Sequence, residues 1–67
     1  MDIKVNGRNI YIQSETLSIN YLLRHLKIKS AMVVIEKNGV LIDKDNYDTE
    51  HVTDGDVVEI VQFVGGG

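Results

Sequence analysis

The 67-residue chain contains no cysteine and no proline. Without cysteine it has no disulfide, no thiolate metal site and no thiol nucleophile. If such a chain handles sulfur, a side-chain thiol does not hold it. Long apolar runs are also missing. The longest uncharged one is Ala31–Ile35, far short of the ~20 residues that span a bilayer. Met1-Asp2-Ile3-Lys4-Val5 does not have the shape of a signal peptide. Basic residues form no stripe: seven Lys and Arg are scattered along a chain of net charge -3. Nucleic acid is therefore not an expected partner. Together these absences predict a cytoplasmic protein that engages neither membrane nor nucleic acid.

What is present suits one small globular domain. Hydrophobic residues make up 43% and charged residues 25%, both ordinary values for a folded soluble domain. A chain of about 60 residues buries only ~60% of the surface it exposes when unfolded. That leaves little room for a deep substrate pocket, so a carrier, binding or regulatory module is expected before an enzyme.

Ile3 and Val5 alternate with polar neighbours, Asn6-Gly7 comes next, and Ile10 and Ile12 alternate again. This pattern predicts a β-hairpin over the first 13 residues. Ser18 is placed to cap a helix, with Thr16 as the alternative. Ile19, Leu22, Leu23 and Leu26 recur at helical spacing, predicting one helix of about 10 residues that ends near Lys27–Lys29. Basic residues in its last turn suit the negative end of the helix dipole. Ala31–Ile35 reads as a strand buried on both faces. Asn38-Gly39 turns it into a short return strand, Val40–Ile42. Asp43 to Thr53 is polar, with Tyr47 and Val52 as anchors under a loop or single helical turn. Asp54-Gly55 makes a tight turn, and Val57–Val64 is the last strand.

The order ββαββ-turn-β, with one helix to cover the sheet, predicts an α+β fold. A parallel pairing of the first and last strands would centre both in a mixed five-stranded sheet packed on one helix, the β-grasp (ubiquitin-like) arrangement. The expected organisation is a body over residues 1–64 and a flexible glycine tail over 65–67.

Few side chains offer chemistry. His25 and His51 stand alone, without partners at metal-ligand spacing. Ser14, Ser18 and Ser30 lack a nucleophile-elbow context. Asp43, Asp45, Asp48, Glu50, Asp54 and Asp56 lack the spacing of a calcium loop. Gly39 and Gly55 read as turns, since no phosphate-loop motif exists.

The tail remains. Three glycines after a β-prone strand lose too much backbone freedom to pack well. The bland reading is a frayed end. The functional reading is a tail without Cβ atoms that threads a narrow channel in another protein. It would reach about 10 Å past the last ordered residue. Its terminal carboxylate is ionised at neutral pH and is a poor electrophile until activated, for example as an acyl-adenylate. Phe63 and Val64, just before the tail, are candidates for partner contact. Alternation places either Phe63 or the Val58, Ile60 and Val64 set in the core. The sheet face opposite the helix is expected to carry an apolar docking patch.

Three features resemble one family over the whole chain: the element order, the stretch Asp54-Gly55-Asp56-Val57-Val58-Glu59-Ile60-Val61, and the ending Phe63-Val64-Gly65-Gly66-Gly67. The resemblance is to the thiamine-biosynthesis sulfur carriers, the ThiS family. Where that family often continues to a Pro-Arg pair, this chain has Ile42-Asp43-Lys44. The resemblance implies that a ThiF-type adenylating enzyme, using ATP and magnesium, forms an acyl-adenylate on the Gly67 carboxylate. A cysteine-derived persulfide donor would then yield a Gly67 thiocarboxylate, and thiazole synthase (ThiG) would take its sulfur. On this view Gly67 carries the sulfur and Gly65 and Gly66 thread the partner's active site. No catalytic residue, metal or bound cofactor belongs to this chain. Competing readings are the small subunit of molybdopterin synthase, whose chains are usually longer and often carry proline near the tail, a ubiquitin-like modifier of lysines, and a β-grasp binding module with an inert tail.

Overall fold

The computed structural model describes residues 1–29 and 32–63. Strand β1 (Asp2–Val5) pairs antiparallel with β2 (Arg8–Tyr11). A three-residue strand, β3 (Thr16–Ser18), leads into helix α1 (Ile19–His25). Strand β4 (Val33–Lys37) turns into the two-residue β5 (Val40–Leu41). A short 3-10 turn (Lys44–Asn46), strand β6 (His51–Thr53) and strand β7 (Val57–Gln62) complete the described order.

The main sheet runs β2-β1-β7-β4-β5. Its central strand, β7, lies parallel to β1 and antiparallel to β4. With α1 against one face, this is the mixed five-stranded β-grasp, ubiquitin-like fold. The core lies between helix and sheet: Ile19, Leu22 and Leu23 of α1 pack in one cluster with Ile3, Val5, Ile35, Val58 and Ile60.

Both Asn-Gly dipeptides make the expected turns. Asn6 (φ 51°) and Gly7 (φ 82°), like Asn38 (φ 52°) and Gly39 (φ 80°), all have positive φ. That is the geometry of the two-residue turns that follow strand twist. At Gly7 and Gly39 nothing stands within 4 Å of where a Cβ would be, so backbone conformation rather than space calls for glycine.

Ser18 is the helix cap, as its sequence position predicts. Its hydroxyl accepts the Tyr21 N–H at 3.2 Å, satisfying one donor of the open first turn. The helix is shorter than its apolar spacing implies, because a Schellman closure stops it at His25. Lys27 adopts φ 60°, and its N–H donates to the Arg24 carbonyl while the Ile28 N–H donates to that of Leu23. This pattern usually places glycine where Lys27 stands. Leu26 and Ile28 still pack on the core, so the helical spacing at Leu26 reflects packing beyond the last turn.

Two further expectations change. The apolar run starting at Ala31, itself outside the described residues, predicts burial on both faces. β4 instead alternates: Val33 and Ile35 are buried and Val34 is exposed, because a single helix covers only one face of the sheet. In addition, β3 and β6 form a small second sheet, with Leu17 opposite Val52. Three-residue strands are too short for alternation to reveal. Both expected anchors, Tyr47 before β6 and Val52 within it, lie in the core. Burial, with Asp43 adding to it, pushes the Tyr47 phenol above its ordinary pKa.

Candidate functional site

The candidate site is the C-terminal end of β7 together with the terminal segment beyond it. Gly65, Gly66 and Gly67, and Val64 before them, lie outside the described residues. What the structure shows is how the strand leading to them is held. β7 has a hydrogen-bonded neighbour on each side, and two asparagine side chains clasp it where its flanking strands turn away. The Asn6 amide donates to the Ile60 carbonyl at 3.0 Å, and its oxygen accepts the Ile60 N–H at 2.7 Å. One side chain thus continues the β1 ladder past the end of β1. On the other side, the Asn38 oxygen accepts the Val57 N–H at 2.9 Å, and the Asn38 N–H donates to the Val57 carbonyl at 2.7 Å.

The Asn38 amide also donates to Asp56 at 3.0 Å, and the other Asp56 oxygen accepts the Thr53 N–H at 2.8 Å. Burial pushes the Asp56 carboxyl up. The hydrogen bonds from Asn38 and Thr53, helped by the charge of Lys37, outweigh burial and hold it below its ordinary value. The turn before β7 is therefore pinned by a carboxylate that stays charged.

We expect Asn6→Ala to cost about 2–3 kcal/mol, since it removes two hydrogen bonds and puts a Cβ-bearing residue without a side-chain amide at positive φ. Asn6→Gly removes the bonds without the strain and should cost about half as much. Urea midpoints of the two variants check this; equal losses would mean that the φ contribution is absent.

Alternation along β7 decides the position of Phe63. Val58 and Ile60 point into the core, while Val57, Glu59 and Val61 point away from it. Phe63 continues the outward series and is 53% exposed. It is a surface residue at the base of the terminal segment, not a core residue. The face opposite the helix also carries exposed Val34 and Val61, which are directly paired across strands.

The other polar candidates are not brought together. His25 ends the helix and is exposed, while His51 lies on β6 with Nδ1 at 2.9 Å from the Thr49 carbonyl. Most of the acidic run has structural partners. Asp43 caps the 3-10 turn, and Asp54 accepts the Asp2 N–H at 2.7 Å. Asp48 accepts from the Asn20 amide, and Glu50 pairs with Lys37. Among the described residues, no group of three or more His, Cys, Asp or Glu could hold a metal ion. No described helix is long and apolar enough to cross a membrane. The two asparagine clasps had a signal in the Asn-Gly motif, but the motif reports the turn and not the reach of the amide to β7.

The sequence model of the ThiS family matches residues 3–67, nearly the whole chain and including the terminal glycines. The chain belongs to the ThiS family. A relative in Bacillus subtilis, sulfur carrier protein ThiS, is 35% identical over 65 residues, covering 97% of this chain and 98% of that one. A thiazole synthase of Paramagnetospirillum magneticum is 38% identical over 69 residues; the match covers all of this chain but only 20% of that protein. The crystal structure of a thiamine biosynthesis protein (ThiS) from Geobacter metallireducens superposes with a TM-score of 0.87 at 38% identity, covering both chains fully. The structural likeness at this identity supports ThiS membership as well as the fold.

Proposed function

We propose that the chain carries sulfur for thiazole formation in thiamine biosynthesis, and that the carrying atom is the carboxyl carbon of Gly67. The observation that supports this most is family membership extending through Gly67 itself. The fold agrees with it. A chain without cysteine leaves sulfur no side-chain thiol. The chain then acts as a protein substrate in the cytoplasm rather than as an enzyme.

The carboxylate sets the chemistry. One Gly67 oxygen attacks the α-phosphorus of ATP on a ThiF-type adenylating enzyme, which holds the magnesium, and pyrophosphate leaves. The resulting mixed anhydride makes the carbonyl carbon electrophilic. The terminal sulfur of a cysteine-derived persulfide attacks that carbon and displaces AMP. Cleavage of the acyl disulfide by a thiol leaves the thiocarboxylate. Thiazole synthase (ThiG) takes this sulfur; the presence of a homologous segment within a thiazole synthase chain supports that partnership. Gly65 and Gly66 have no Cβ to collide with the walls of an entry channel. Phe63, and Val64 after it, meet the partner at the channel mouth.

The test is ATP–pyrophosphate exchange by the adenylating enzyme. Exchange should appear only when this chain is added and should stop when Gly67 is deleted. Exchange that persists without Gly67 would end the proposal.

A further inference from the structure

An asparagine followed by glycine is chemically fragile. The glycine nitrogen can close a five-membered imide on the asparagine side chain, and glycine has no Cβ to crowd the closure. This chain has two such pairs, Asn6-Gly7 and Asn38-Gly39, and both asparagines are exposed residues. In each, the native fold ties the side chain to β7 or to the turn before it. Asn6 is held through both amide atoms by the main chain of Ile60. Asn38 is held through its oxygen by the Val57 N–H and through its nitrogen by Asp56. Neither side chain can turn back onto its glycine until both bonds of its clasp break.

The two clasps are not equally protected. The Asn6 bonds are partly buried. Asn6-Gly7 joins strands paired at four positions, and one of them, β1, lies against the central strand β7. The Asn38 bonds are exposed to solvent. Asn38-Gly39 joins β4 to β5, an edge strand of two residues paired at two positions. Both β5 side chains, Val40 and Leu41, are about two-thirds exposed, so little burial holds that strand down. Segments with few buried contacts and solvent-exposed hydrogen bonds are the ones that open locally in a native protein. Opening one hairpin end frees Asn38. Freeing Asn6 requires the middle of the sheet to come apart.

We propose that Asn38 is a deamidation site of the native chain, reached through local opening of the β4–β5 hairpin, and that its loss unpins the start of β7, while the same dipeptide at Asn6 is shielded by the fold. The Gly39 nitrogen gives up its proton and attacks the Asn38 side-chain carbonyl carbon. The bond from that carbon to the amide nitrogen breaks, and the nitrogen leaves with the proton as ammonia. Water then opens the imide at either carbonyl, giving aspartate or isoaspartate at position 38. Neither product restores the clasp. Aspartate puts a carboxylate where an amide donated to Asp56 at 3.0 Å, so two like charges meet in place of a hydrogen bond. Isoaspartate adds a methylene to the main chain inside a two-residue turn and breaks its register. The modified chain opens more easily than the parent, and the strand it loosens is the one that leads to the terminus.

Peptide-mapping mass spectrometry of the wild-type chain, aged at neutral pH over a series of urea concentrations, tests the site without any substitution. In fully unfolding urea both asparagines precede glycine in an open chain and should convert at similar rates. Without urea, Asn38 should convert about tenfold faster than Asn6 or more. As urea rises toward the midpoint, the Asn6 rate should climb with the unfolded fraction, while the Asn38 rate stays nearly flat, because local opening exposes little new surface. Equal native rates at the two sites, or an Asn38 rate that climbs in step with that of Asn6, would overturn the proposal. The consequence is tested by Asn38→Asp, which should lower the urea midpoint. N38D/D56N exchanges donor and acceptor across the same contact and should recover much of the loss. A midpoint for Asn38→Asp equal to that of the wild type would contradict the unpinning of β7.

Discussion

Adding a single residue after Gly67 should abolish sulfur loading completely while leaving the fold and its melting temperature unchanged. The reason is chemical. Extension turns the Gly67 carboxylate into an amide, which has no anionic oxygen to attack ATP and no route to an acyl-adenylate. The new terminal carboxylate is displaced by one residue, about 3.3–3.6 Å, and mispositioning of about an ångström already costs reactions that depend on alignment about a hundredfold. The body should be untouched, because its last strand, β7, ends at Gln62, five residues before Gly67. Intact mass after incubation with adenylating enzyme, ATP and a persulfide donor provides the readout. The wild type should gain the difference between a sulfur and an oxygen atom, and the extended chain should gain nothing. Loading of the extended chain to a normal level would show that the reacting group lies elsewhere.

The second large effect is on folding. Ile35→Ala should cost about 2–5 kcal/mol, from lost burial plus the cavity left behind. Ile35 has 0% exposure. It stands opposite Ile60 on β7, in the cluster that includes Ile19, Leu22 and Leu23 of the helix. Typical stability of about 0.05–0.15 kcal/mol per residue gives a chain of this size roughly 3–10 kcal/mol in total. One methyl-rich side chain in the middle of the sheet therefore accounts for a large share of it. Urea unfolding should show a markedly lower midpoint with an unchanged slope. Val34→Ala, one residue away on the open face, should lie within about 0.5 kcal/mol of the wild type. Similar losses at both positions would contradict the one-sided burial of β4.

Those two residues also show what the sequence can and cannot tell. The β-branched run around Val33 to Ile35 announces a strand. It does not say that one face of that strand stays open, because that depends on there being only one helix to cover five strands. Asn6-Gly7 and Asn38-Gly39 announce their turns because few other residue pairs tolerate positive φ at both positions. Lys27 carries no such signal: its positive φ is imposed by the Schellman closure and by the packing of Ile28. Leu17 and Val52 are each single apolar residues in polar surroundings, so the small β3–β6 sheet has no pattern to read. Alternation alone leaves Phe63 undecided between core and surface, and the register of β7 sets it outward.

The candidate terminus is legible for a different reason. Its chemistry lies in the main-chain carboxyl group and in the absence of side chains before it, and both are visible in the last three letters. What separates Asn38 from Asn6 is not legible in that way. Both precede glycine, and only the strands that flank them in the fold differ.

The most direct test of the central claim is fragmentation mass spectrometry of the chain purified from cells with active thiazole formation. The account predicts a sulfur-for-oxygen mass increase confined to the C-terminal fragments and assigned to Gly67. The same increase on any fragment that excludes Gly67, or its absence from every C-terminal fragment, would contradict it.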